Sequence, residues 1–111
     1  MFNKMVTPTG GSGGGLTIVS SKTTGVENST VTLDAGKYII VVTGYSGGLT
    51  SNTNVKATVD NGTLTQDFNK YFDYGANSYD MSTKVYELDT SSNTTVTFGT
   101  VTRAEIIYKL S

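Results

Sequence analysis

The stretch Ser29–Gly48, STVTLDAGKYIIVVTGYSGG, decides the fold that this sequence predicts. Two short runs rich in β-branched residues, Thr30–Leu33 and Lys37–Tyr45, flank the turn residues Asp34–Gly36. Runs of this length and composition, separated by Asp and Gly, are typical of consecutive β-strands. The stretch therefore predicts two strands joined by a tight connection.

The second of these strands is apolar on both faces. Tyr38, Ile40 and Val42 share one face, whereas Ile39 and Val41 share the other. Because a small two-layer sandwich has only one interior, the second face needs another cover. We expect Ile39 and Val41 to lie at an interface between subunits of a homo-oligomer, with a trimer favoured.

Similar short runs continue in both directions from this centre. Residues Asp60–Gly62 separate two alternating runs, and an Asn-Gly pair in that position predicts a hairpin with a tight primed turn. The aromatic-rich segment Asn69–Met81 predicts a loop or an irregular edge strand. The remaining strand-like runs are LTIV (Leu16–Val19), TKVYELD (Thr83–Asp89), TTVTF (Thr94–Phe98) and AEIIYKL (Ala104–Leu110).

These runs amount to about eight strands without a convincing helix. Evenly spaced short strands favour a closed or two-layered structure over an open sheet with exposed edges. We therefore predict an all-β fold for residues 16–111: a single antiparallel β-sandwich, jelly-roll-like.

Composition excludes several classes of function. The chain has 111 residues, a net charge of −1 and only 15% charged residues, so it offers no basic face for nucleic acid. No apolar run approaches the length of a membrane span, and we expect no membrane insertion. The N-terminus shows no secretory signal.

The residue types needed for most catalysis are missing. The chain has neither His nor Cys, which removes Ser–His and Cys–His nucleophile pairs and imidazole or thiolate metal sites. We therefore predict a protein that is not an enzyme, with no catalytic residues, no metal site and no cofactor. A carboxylate pair remains the formal alternative, as does a calcium loop from Asp67, Asp73 and Asp80 with Asn69 and Asn77.

Tyrosines in the segment YFDYGANSY suggest a possible binding surface. Tyr71, Tyr74 and Tyr79 stand beside Asn and Ser, a mixture that recognition surfaces use, and the same rings could stack on sugars. They are the candidate contacts for a cell-surface glycan or receptor. The alternative is that Tyr71, with Phe68 and Phe72, closes one end of the core.

The head of the chain, MFNKMVTPTGGSGGG, precedes the first strand-like run and divides into residues 1–9 and a glycine-rich stretch, 10–15. Five glycines and a serine form a flexible tether. Gly10, Gly11, Gly13, Gly14 and Gly15 are thus a predicted hinge, although a cloning linker or a designed fusion would have the same composition.

This head, the stretch Ser29–Gly48 and the ending TTVTFGTVTRAEIIYKLS together resemble small bacteriophage and prophage proteins encoded beside tail-fibre and other virion genes. The resemblance lies in organisation: a short N-terminal peptide, a glycine-rich hinge and a compact β-sandwich. It implies a non-enzymatic virion protein on the capsid or tail surface, bound to a larger virion protein. Met1, Phe2, Met5 and Val6 would supply the apolar docking contacts. The rival functions are a receptor- or carbohydrate-binding module and, less favoured by the residues present, a small hydrolase.

Overall fold

A computed structural model describes residues 15–48, 50–75 and 79–111. Its described part contains eight strands and one helical turn, which confirms the predicted all-β fold. The elements are β1 (Leu16–Lys22), β2 (Thr30–Leu33), β3 (Gly36–Gly47), α1 (Ser51–Asn54), β4 (Ala57–Val59), β5 (Thr63–Phe72), β6 (Tyr79–Thr90), β7 (Thr94–Phe98) and β8 (Thr102–Leu110).

The strands form two antiparallel sheets. The larger sheet has the order β1-β8-β3-β6-β5 and the smaller has the order β2-β7-β4. In a jelly roll, a long hairpin is rolled so that its successive strand pairs alternate between the sheets. Three of those nested pairs, β1 with β8, β2 with β7 and β3 with β6, are present. The fourth, β4 with β5, is absent because β5 lies in the large sheet, where it pairs with β6.

The core lies between the two sheets and follows the alternation of the strands. Two tyrosines, Tyr38 and Tyr86, belong to the core, and the hydroxyl group of each has a hydrogen-bond partner. The Tyr38 hydroxyl donates to the Asp34 carbonyl at 2.8 Å, and the Tyr86 hydroxyl accepts from the Ala57 amide at 3.5 Å. The buried apolar cluster is made of Val26, Leu33, Tyr38, Ile40, Val42, Val55, Ala57, Tyr86, Leu88, Val96, Phe98 and Ile107.

The hairpin predicted around Asn61 and Gly62 is wrong. β4 belongs to the small sheet and β5 to the large one, so Asp60–Gly62 is a corner between sheets. Gly62 has a φ of +94°, and a Cβ there would lie 2.8 Å from Thr90 Cβ. The Asn-Gly pair therefore supplies a positive φ, as expected, but in a different kind of turn.

The helical turn α1 has no counterpart among the predicted elements, and it packs against β6 and β3 of the large sheet. The Ser51 amide donates to Asp80 Oδ2 at 2.9 Å, and Lys84 Nζ donates to the Asn52 carbonyl at 2.7 Å. Both anchoring side chains come from β6 and are buried. Burial lowers the pKa of Lys84, and the neighbouring charge of Lys56 lowers it further.

The two ends of the described sandwich lie side by side. β1 and β8 are neighbours, and the Ser111 amide donates to the Gly15 carbonyl at 3.3 Å. Gly15, the one described member of the predicted hinge, has a φ of +110°. The N-terminal peptide with Met1, Phe2, Met5 and Val6, and the hinge residues Gly10, Gly11, Gly13 and Gly14, lie outside the described residues.

Candidate functional site: the outer face of the five-stranded sheet

The large sheet turns one face to the core and the other, here called the outer face, away from the small sheet. The described chain exposes nine large apolar side chains, and none of them belongs to the small sheet. Seven of the nine are on the outer face, because they alternate with core residues or pair across strands with outer residues. These seven are Leu16, Ile18, Tyr45, Phe68, Phe72, Tyr79 and Met81.

Strand register arranges the outer face in rows that cross the sheet. At one end Phe72 is opposite Met81, and Met81 is opposite Tyr45; these three residues form the aromatic row. Two positions further along β3 lies a row of Thr and Lys side chains. Beyond it lies the second apolar row, made of Phe68, Val85, Val41 and Ile106. This second row crosses four of the five strands, from the edge strand β5 to β8, and ends at Ser21 of β1.

Tyr79 and Tyr74 extend the aromatic row at its open end. Tyr79 packs edge-on against Tyr45 with ring centroids 5.5 Å apart, and Tyr74 stacks on Phe72 at 6.0 Å. Tyr45, Tyr79 and Met81 line a shallow cleft of about 260 Å³. All five side chains are more than 40% exposed, so the cleft is open to solvent.

Two cations lie against these rings. Lys70 Nζ is 4.9 Å from the centre of the Phe72 ring, and the Arg103 guanidinium is 4.9 Å from the centre of the Tyr45 ring. Arg103 also forms an ion pair with Glu27 at 2.6 Å. Hydrogen bonds from its own backbone amide and from Arg103 hold the pKa of Glu27 below its usual value.

Ile39 and Val41, the residues predicted for an interface, both point to the outer face. Ile39 is only 6% exposed because Glu87 and Tyr108 flank it across the neighbouring strands, and Val41 is half-buried. The strongly exposed apolar residues of this face come instead from β1, β5 and β6, with Tyr45 as the one such residue on β3 itself. The alternation of apolar residues in the sequence identifies this face, but it does not show which side chains on the face are exposed to solvent.

Tyr71 does not join the other two candidate tyrosines. Tyr71 is opposite Ser82 on the inner face and is half-buried, whereas Tyr74 and Tyr79 are exposed beside the aromatic row. Burial, followed by the hydroxyl's contact with Asp80, raises the pKa of Tyr71. Tyr45 and Met81 line the cleft with Tyr79 instead; alternation places Tyr45 on the face of Ile39 and Val41, but no local pattern brings Met81 beside it.

Asp80 forms the centre of a buried polar cluster rather than a reactive site. It accepts hydrogen bonds from the Ser46 hydroxyl and the Ser51 amide, both at 2.9 Å. Burial alone would raise the pKa of Asp80, but donors from Ser51, Ser46 and Tyr71 more than offset it and hold the pKa below its usual value. The cluster fixes α1 against β3 and β6.

The carboxylates weighed for a calcium loop are separated by the fold. Asp80 is buried inside, Asp67 lies on the outer face, and Asp73 accepts a hydrogen bond from the Gly75 amide in an exposed turn. Asn77 is outside the described residues. Across the part of the chain that the structure describes, no three acidic side chains gather in an arrangement that could hold a metal ion.

A carboxylate pair does occur, at Asp67 and Glu87. The register of β5 against β6 shifts between Gln66 and Phe68, so Asp67 is the extra residue of a β-bulge. The bulge brings Asp67 within hydrogen-bonding reach of Glu87 on the next strand. Glu87, Thr65, Lys37 and their neighbours line a groove of about 310 Å³ beside the pair.

Comparison with known proteins found no match to any family model, curated protein or solved structure. No helix within residues 15–48, 50–75 and 79–111 has the length and apolar character to cross a bilayer. Function therefore has to be inferred from the outer face and its chemistry.

Proposed function

We propose that this protein is a non-enzymatic structural subunit that pairs with a second copy of itself through the outer face. The observation that carries the proposal is the concentration of exposed apolar side chains on that one face. Soluble monomers rarely expose contiguous apolar patches larger than a few hundred Å², and larger ones mark interaction surfaces.

The size of the outer face fits a stable contact. Five strands spaced about 4.8 Å apart and about ten residues long at about 3.3 Å each give a face of roughly 700 Å². A standard interface buries about 800 Å² on each partner. A face that meets the same face of another subunit forms a two-fold contact, so we propose a dimer in place of the trimer that the sequence analysis favoured.

The organisation of the chain suggests where such a dimer would act. The resemblance to small phage proteins supports a virion accessory protein, anchored to a larger virion protein through residues 1–9. The absence of His and Cys from the sequence supports a structural role over a catalytic one.

Met81→Lys tests the pairing. Met81 lies in the aromatic row and is 45% exposed, so a lysine there leaves the subunit's core intact but would bury an unpaired ammonium in the dimer. We expect the wild type to sediment as a dimer at micromolar concentration and Met81→Lys to weaken association by about 100-fold or more.

The matched control is Thr97→Lys, which adds the same charge on the exposed side of β7 in the small sheet. It should sediment as the wild type does. A wild-type protein that stays a monodisperse monomer at tens of micromolar would remove the proposal.

A second function, saccharide binding, is favoured by the cleft of Tyr45, Tyr79 and Met81. Tyrosine rings present apolar faces that suit the C–H faces of a sugar ring, and Lys70 and Arg103 beside them suit an acidic saccharide. The two functions make opposite demands on the aromatic row, because pairing covers it and sugar binding needs it open.

Tyr79→Ala tests saccharide binding with immobilised neutral and acidic oligosaccharides as the probe. Loss of the most exposed ring should weaken binding at least about tenfold. Ile18→Ala, which trims an exposed side chain at the far edge of the same face, is the control and should bind normally. Equal binding by Tyr79→Ala and the wild type would exclude the cleft as a sugar site.

A further inference from the structure

Asp67 and Glu87 place two carboxyl groups together on the proposed contact surface. Asp67 Oδ2 is buried and has no hydrogen-bond donor among the described residues. Two carboxyl groups in contact repel each other when both are ionised, and a proton held between them removes the repulsion and satisfies the buried oxygen. The geometry of the bulge thus creates a place for one proton.

The properties of Glu87 agree with this geometry. The hydrogen bond with Asp67 raises the pKa of Glu87, and burial and the negative charge of Asp67 raise it further. Glu87 is therefore the carboxyl group that holds the proton and donates it to Asp67.

No neighbouring cation forms an ion pair with Asp67 or Glu87 within the described residues, so none neutralises the pair in place of the proton. On β3, Lys37 Nζ lies 4.0 Å from Asp89 Oδ2 of β6, and both side chains are well exposed. On β5, the next outer charge is Lys70, which lies over the Phe72 ring. On β8, the group facing this row is Tyr108, opposite Ile39.

We infer that the Asp67–Glu87 pair makes self-association depend on pH, because the subunits pair most tightly when the two carboxyl groups hold one proton. This inference rests on the proposed pairing through the outer face. Glu87 is in the row next to the second apolar row, so an apposed second copy would remove water from the pair.

The sign of the effect follows from desolvation. Covering the pair penalises its doubly charged form more than its singly charged form, so association takes up protons. The dissociation constant should therefore fall as the pH falls from neutral towards the usual pKa of a glutamic acid, 4.5. Each proton taken up changes the constant by up to about tenfold per pH unit.

The experiment is sedimentation of the full chain at about pH 7.5 and about pH 5.0, with the variants Glu87→Gln and Asp34→Asn. We expect the wild type to associate at least about tenfold more tightly at the lower pH. Glu87→Gln keeps the shape and donates permanently to Asp67, so it should associate tightly at both pH values. Asp34 is exposed in the turn before β3, and Asp34→Asn removes the same charge without touching the pair.

The Asp34→Asn variant also controls for the low net charge near the isoelectric point of 5.1, which by itself promotes association. It should keep the wild-type pH dependence. A dimer that Met81→Lys disrupts but whose dissociation constant is equal at both pH values overturns this inference alone. Monomers at both pH values overturn the pairing and the inference together.

Discussion

Thr94 is the residue that holds the corner between the two sheets. Its hydroxyl lies 2.8 Å from the Asn61 carbonyl and accepts from the Asn61 amide at 3.1 Å. Asp60 Oδ1 accepts from the Thr95 amide at 2.8 Å, which is the main reason why the pKa of Asp60 is lowered. One buried side chain of β7 therefore satisfies both backbone groups of the residue at which the chain changes sheet.

Replacing Thr94 by Val tests this role. Valine has the same shape but leaves the Asn61 amide without its acceptor, so we expect the free energy of unfolding to fall by about 1–2 kcal/mol. Urea unfolding of Thr94→Val against Thr97→Val, an exposed position on the same strand, is the measurement. If the two variants unfolded at the same urea concentration, the corner would not depend on Thr94.

The corner shows what a local pattern can predict. Asn61 and Gly62 correctly indicated a turn with a positive φ, and the ends of β2 and β7 fell where alternation placed them. The turn's place in the fold depends on Thr94, more than thirty residues further along the chain. Hydrogen bonds between residues so far apart cannot be predicted from a short segment of sequence.

At the scale of the element, β3 is a long strand that depends on one glycine. A Cβ at Gly44 would overlap the Val101 carbonyl oxygen and would lie 2.8 Å from Val55 Cγ2. The register of β3 against β8 also shifts between Thr43 and Gly44. Gly44 thus lets the loop before β8 approach the middle of the large sheet.

Gly44→Ala should therefore destabilise the fold by about 2–3 kcal/mol through overpacking. Gly47→Ala is a control in the same strand, because its nearest neighbour is Tyr79 at an ordinary 3.9 Å, and it should change stability by less than about 0.5 kcal/mol. Thermal unfolding followed by circular dichroism separates them. Equal unfolding temperatures for the two variants would show that the loop can move away from β3.

The sequence does not predict, or predicts only approximately, the elements in which apolar residues do not recur at a regular spacing. α1 is a single turn of Ser, Asn and Thr that owes its place to Asp80 and Lys84 of β6. The segment Asn69–Met81 predicts a loop or an irregular edge strand, and its first four residues are the end of the edge strand β5, which has a bulge further back at Asp67. Neighbouring strands, rather than local propensity, decide both features.

At the scale of the whole molecule, the candidate site exists only because of strand register. Tyr79 could be suspected from the density of aromatic residues around it, but Tyr45 and Met81 join it through the pairing of β3 with β6. Asp67 and Glu87 meet because of a bulge in β5, and the residues around neither of them predict that bulge. The class of fold followed from alternation, whereas the site required the three-dimensional pairing.

The adjacency of Gly15 and Ser111 has a consequence for anything joined to this domain. Both ends leave the sandwich at one corner, on the edge strand β1 and its neighbour β8, at the opposite end of the strands from Tyr45. A reporter joined directly to Gly15 would therefore start from the same corner as one joined directly to Ser111. Both attachment points lie away from the end that carries Tyr45 and Tyr79, so that end can be displayed with the domain joined at either of them.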